Sequence, residues 1–159
     1  MPVLVVSDAS VVIDMVNGGL AMAMFAMPLT FAVPDIMFDE ELEPYIPGLR
    51  EMGLQILEIQ SEGISYIDGL IGSGRSLPGA HDLYALALAR QERCLLLTTD
   101  KRLRRLAEEE QLAVHGTLWL VKGLMDSGLV SKQEAREAFQ LMLDSGSYLP
   151  HAGILELVQ

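Results

Sequence analysis

Five carboxylates in four separate parts of the chain are the residues best suited to chemistry: Asp8, the neighbours Glu40 and Glu41, Asp82 and Asp100. Any one of them alone reads most simply as a helix cap or a solvated charge. Several brought together repel one another, raise one another's pKa, and persist only with a cation or shared protons. An all-oxygen donor set, without paired His or Cys ligands, favours Mg²⁺ or Mn²⁺ over zinc. The chemistry on offer is therefore that of a divalent metal, provided the fold gathers these acids.

The stretch from Pro78 to Asp100 shows how it does so. Tyr84, Ala85, Leu86, Leu88 and Ala89 recur at helical spacing, and Leu95 to Leu97 form a short apolar run that suits a buried parallel strand. A helix from Asp82 to Arg93 runs out about 17 Å at 1.5 Å per residue. A strand from Leu95 to Thr99 returns about 16 Å at 3.3 Å per residue. Asp82 and Asp100 are thus expected at one sheet edge, where open α/β folds keep their ligand sites. Val3 to Ser7 predicts a first buried strand with Asp8 at its carboxyl end, and Ser10 is the expected cap of the helix that follows.

The remaining elements follow the same alternation. A second strand is expected at Thr30 to Val33, and Pro34 with Asp35 opens a helix carrying Asp39, Glu40, Glu41 and Glu43. Pro44 and Pro47 end or kink it. Leu54 to Ile59 predicts a third strand, Ser61 caps a helix from Glu62 to about Ile71, and Gly72 to Pro78 is a loop. Beyond Asp100 come a charged helix to about Gln111, a short strand at Leu112 to Val114, and an apolar helix from Thr117 to Met125 ended by Gly128. Ser131 to Glu134 form a capping box for a last helix through Leu143. The expected architecture is one α/β domain over residues 1–159, a three-layer sandwich with a central, mainly parallel sheet. Residues 131–159 are expected to be an appendage to it.

Composition bounds the partners. With 159 residues, half of them apolar, and mean hydropathy +0.31, the chain has material for a real core. The single cysteine, Cys94, excludes a disulfide framework and reads as a small core residue. MPVLVVSD lacks the basic segment of a signal peptide, which points to the cytoplasm. The uncharged stretch from Asn17 to Pro34 is broken by Gly18, Gly19, Pro28 and Pro34 into a short helix and a strand, so no membrane span is expected. A net charge of -11 removes long-range attraction to nucleic-acid phosphates. The bases do cluster on both sides of Asp100: Arg90 and Arg93, then Lys101, Arg102, Arg104 and Arg105. Ser7, Ser10, Thr98 and Thr99 are placed to orient acids by hydrogen bonds, and His81 adjoins Asp82 as ligand, proton carrier or plain loop histidine.

Four segments in order, VVSDASVVID, VPDIMFDEEL, HDLYALALA and LLLTTDKRLRRLAEEEQLAVHGTLWLV, resemble the PIN domain, the ribonuclease fold of VapC-type toxins. The resemblance runs to about Leu129 and is weakest between Pro44 and Pro78. It implies Asp8, Glu40 or Glu41, Asp82 and Asp100 as site residues, a Mg²⁺ or Mn²⁺ cofactor, an RNA substrate, and products ending in a 3′-hydroxyl and a 5′-phosphate. A toxin role with a cognate antitoxin is a further implication. Many relatives carry another acid just after the last aspartate; Lys101 and Arg102 stand there instead, which implies a weaker second metal site. Spacing from Pro34 selects Glu40 and the Glu-Leu pair selects Glu41; the expected burial of Ile36 and Met37 favours Glu40 slightly.

The leading function is thus a metal-dependent endoribonuclease, with Asp8, Asp82, Asp100 and Glu40 as metal ligands. Its rival is a catalytically weak or inactive binding or regulatory protein of the same fold. A phosphatase with Asp8 as nucleophile is disfavoured, because Asp8 is followed by Ala9 and Ser10 without a second acid two residues on. The apolar helix around Trp119 and Leu120, together with Met22, Met24 and Met27, suggests a homodimer, or a partner helix over the same patch.

Overall fold

The structure, a computed structural model, describes residues 3–159; Met1 and Pro2 lie outside the described residues. Valine-rich β1 (Val3–Ser7) is the central strand, with Val5, Val6 and Ser7 fully buried. It pairs in parallel with β2 (Leu29–Pro34) on one side and β4 (Leu95–Leu97) on the other. β3 (Gln55–Leu57) extends the sheet beyond β2, and β5 (Val114–His115) extends it beyond β4. The order is β3-β2-β1-β4-β5, all parallel. The expected mainly parallel sheet is present. Its third strand is shorter than Leu54 to Ile59, and its fifth starts two residues after the expected Leu112 and ends one residue beyond Val114.

From β1 the chain moves to β2 and β3 on one side, then crosses to β4 and β5 on the other. The connections after β1 and β4 therefore diverge, and a crevice opens between the carboxyl ends of these two strands, the usual place for a ligand in such sheets.

Helices cover both faces. α1 (Ala9–Asn17) packs on β1, and α2 (Ala21–Ala26) packs on β2. Pro34 then closes β2 and opens α3 (Asp35–Met37), which widens into a π-turn at Phe38–Leu42 before the prolines. A short α4 (Leu49–Met52) leads into β3. α5 (Ser61–Ile71) and α6 (Ala80–Glu92) follow, and α6 lies across β1, β2 and β4 with Ala85 to Ala89 buried. That unbroken burial explains why the helix carries so little polar face. Arg93, at φ 53, ends α6 in the left-handed conformation and turns the chain into β4. α7 (Lys101–Glu109) joins β4 to β5.

α8 (Thr117–Asp126), α9 (Lys132–Asp144) and α10 (His151–Val158) complete the chain. The Ser131–Glu134 capping box of α9 is formed as expected. The helix lies against α1 and α8, and Ala135, Ala138, Phe139 and Met142 belong to the common core. Leu120 and Met24 are core residues too; of the expected dimer patch, only Met22 and Trp119 are substantially exposed. Among the described residues no helix is long and apolar enough to cross a membrane. Cys94 is half-buried and burial raises its thiol pKa, as suits a packing residue rather than a nucleophile.

Candidate active site

β1 ends at Ser7, and Asp8 adopts the extended backbone of a helix cap, with φ -81 and ψ 176. Its Oδ1 accepts from Val11 N–H at 3.2 Å and from the Ser10 hydroxyl at 2.6 Å, and its Oδ2 accepts from the Thr98 hydroxyl. Asp8, not Ser10, therefore caps α1. Both residue types serve as caps, and the position where the strand stops decides between them. Backbone donors just past β4 fix both hydroxyls: Asp100 N–H reaches Thr98 Oγ1, two residues before it, at 3.0 Å, and Thr99 N–H crosses to Ser10 Oγ at 3.2 Å. Two hydroxyls thus tie the end of β1 to the end of β4. The Ser7 hydroxyl donates only to the Asp8 carbonyl, and Thr99 takes part through its backbone.

Asp8 is 3% exposed. Burial pushes its carboxyl up to about 6, against the lowering effect of Ser10, Thr98 and Val11. Asp100 lies outside at the rim, where its Oδ1 accepts from Leu103 N–H at 2.9 Å and caps α7.

Asp82 enters from the first turn of α6. Burial, followed by the charges of Asp8, Asp100 and Glu41, raises it to about 6. Burial is the larger cause, and the three neighbouring charges add to it. Asp8, Ser10, Glu40, Glu41, Tyr45, Asp82 and Asp100 line a single open cleft of about 510 Å³. All five acids chosen from the sequence line it.

Glu40 and Glu41 do so in an unexpected way. Consecutive helical residues point about 100° apart, so only one of them was expected to face the cleft. The π-turn at Phe38–Leu42 alters that geometry, and both reach His81, Glu41 at Nδ1 (2.7 Å) and Glu40 at Nε2 (2.6 Å). Burial pulls the His81 imidazole down, but the two glutamates outweigh it and hold it above its ordinary value. Of the pair, Glu41 is the half-buried one and the one whose charge acts on Asp82. Ile36, expected to be buried, is 38% exposed, while Met37 and Phe38 are buried, so the inward face of this segment is the one Glu41 shares.

The donor set is carboxylate and hydroxyl oxygen throughout, chemistry that fits Mg²⁺ or Mn²⁺. As placed, though, Glu40 and Glu41 are held on His81, and both Asp8 oxygens are occupied. Among the described residues no group of three or more His, Cys, Asp or Glu side chains is arranged to hold an ion. Among the described residues, Asp82 is the cleft acid whose side chain draws on no hydrogen bond.

Two features escaped the sequence reading. Tyr45 lines the cleft from the segment where the sequence pattern is weakest. Asp14, on α1, is buried and accepts from the hydroxyls of Thr117 at 2.8 Å and Ser147 at 2.5 Å, which fastens α8 and the segment before α10 to α1. Burial raises its carboxyl, and the two hydroxyls oppose the rise.

Comparison with known proteins matches residues 4–159 to a family described as a PIN domain, DUF3368. No curated protein matches the chain.

Proposed function

The chain belongs to the PIN-domain family, and from that premise we propose that it is a divalent-metal-dependent endoribonuclease whose acids Asp8, Glu41, Asp82 and Asp100 hold Mg²⁺ or Mn²⁺. PIN domains are usually nucleases. The observation that supports the metal-dependent reading is that these acids line one cleft, where burial first, and then the charges of Asp8, Asp100 and Glu41, raise Asp82 to about 6. A cation relieves that repulsion.

Each side chain has a part in this reading. Asp8 is the fixed member, because its buried carboxylate is clamped by Ser10 and Thr98. Asp82 is the free member, and its oxygens are open to a ligand. Asp100 offers its second oxygen while the first caps α7. Glu41 supplies the fourth carboxylate, and His81 sets where it lies. A divalent ion bound here supplies charge neutralisation at a phosphodiester and a water of lowered pKa. The hydroxyls of Ser10 and Thr98 are positioning groups, since they act through Asp8.

Cleavage of a mixed single-stranded RNA pool in Mn²⁺, lost in EDTA, is the test. Asp100→Asn keeps an oxygen that can cap α7, so the fold is expected to survive while cleavage is lost. Wild-type turnover by Asp100→Asn at saturating Mn²⁺ would exclude this carboxylate as a ligand. A toxin role restrained by a cognate antitoxin draws support only from the resemblance to VapC-type toxins. Growth arrest on expression of the wild type but not of Asp100→Asn is its expected signature.

A further inference from the structure

A second cavity, larger than the acid cleft, opens beside it, and nothing in the proposed reaction uses it. Its volume is about 750 Å³, within the range of small-ligand sites, and Asp100 lines both cavities. Lys101 and Arg104, from the first turn of α7, face it. Although the chain carries twice as many acids as bases, neither cation is in an ion pair among the described residues. Gly116 makes room for Arg104: a Cβ there would lie 3.2 Å from Arg104 Nη2 and 3.0 Å from the Thr98 carbonyl oxygen.

The same cavity holds aromatic surface. The His115 ring stacks on the Trp119 indole with centroids 4.6 Å apart and planes 7° apart. Trp119 is 38% exposed, and Tyr148 is 93% exposed. Large aromatic side chains left open to water beside unpaired cations are the combination that binds a nucleotide, phosphate on the cations and base on the rings. The walls are not adrift, because buried Asp14 holds both Thr117, two residues before Trp119, and Ser147, the neighbour of Tyr148.

We propose that this cavity is a subsite for one nucleotide of a single-stranded RNA, adjacent to the phosphodiester in the acid cleft. Lys101 and Arg104 hold its phosphate, and Trp119 with Tyr148 stack its base. The assignment rests on the reading of the cleft as the cleavage site, since Asp100 at the shared rim sets the register between them. A duplex is excluded by the same logic, because its bases are already stacked and unavailable. The local cations also answer the net charge of -11: attraction is confined to the strand's own path.

Trp119 is the only tryptophan, so tryptophan-selective fluorescence, excited where the four tyrosines do not absorb, reports on this cavity. Titration of the full-length protein in EDTA with hexaadenylate RNA is expected to give saturable quenching. The double variant Lys101→Ala/Arg104→Ala should weaken binding about tenfold or more, flatten the salt dependence by about 0.7 in log-log slope per lost phosphate contact, and in Mn²⁺ place its loss on KM more than on kcat. Asp82→Asn should keep the quenching while losing cleavage. Quenching by a wild type that never cleaves would overturn the reading of the cleft and leave the subsite standing. Cleavage without quenching, with KM unmoved in the double variant, would overturn the subsite alone.

Discussion

Replacing Asp82 by Asn should make the protein more stable in EDTA, although it removes an acid of the proposed metal site. The raised pKa means that ionised Asp82 opposes folding. A shift from 3.8 to about 6 corresponds to at most about 3 kcal/mol at 1.36 kcal/mol per unit. Asp82 is half-exposed, and solvent screening reduces that to about 1 kcal/mol. The sign follows from linkage: a carboxyl whose folded pKa is raised contributes its full stability below the unfolded value and loses it as pH rises through about 6. At pH 8 in EDTA, Asp82→Asn should therefore unfold about 2–4 °C above wild type, and near pH 4 the two should coincide. Adding Mn²⁺ should reverse the order at pH 8, since an ion bound only to the folded wild type stabilises it by mass action. Thermal unfolding by circular dichroism at both pH values, with and without Mn²⁺, measures all of this. A variant less stable than wild type at pH 8 in EDTA, or a gap that ignores pH, would refute the claim that burial and the neighbouring acids together destabilise ionised Asp82.

Two further outcomes follow from the same geometry. Glu41→Gln should cost orders of magnitude in Mn²⁺-dependent cleavage and Glu40→Gln little, because only Glu41 is half-buried and acts on Asp82; equal, mild losses in single-turnover assays would leave the site with three carboxylates. Thr98→Val removes the hydroxyl that bridges Asp100 N–H and Asp8, so it should destabilise by about 1–3 kcal/mol in urea unfolding, and a neutral effect would show that the bridge is dispensable.

Asp8, Asp82 and Asp100 were legible because short apolar runs and one strongly apolar helix placed them at strand ends and a helix start, and parallel connectivity leaves few ways to arrange those ends. Local rules did less well. Ser10 and Asp8 are both good caps, and only the end of the β1 ladder shows which is used. A 3.6-residue period lets only one of Glu40 and Glu41 face the cleft, whereas the chain takes a π-turn there and exposes Ile36. The contacts of Asp14 span 103 and 133 residues of sequence, a distance over which no spacing pattern operates. α10 begins without a side-chain cap, so the usual start signal was missing from the sequence.

The central claim is that the cleft acids bind a divalent ion and cleave RNA with it, and calorimetric Mn²⁺ titration paired with a single-stranded RNA cleavage assay on the same samples tests it most directly. Wild type should bind Mn²⁺ and cleave, and Asp82→Asn should lose both together while remaining folded. RNA cleavage that persists in EDTA, or undiminished Mn²⁺ binding by Asp82→Asn, would contradict the account.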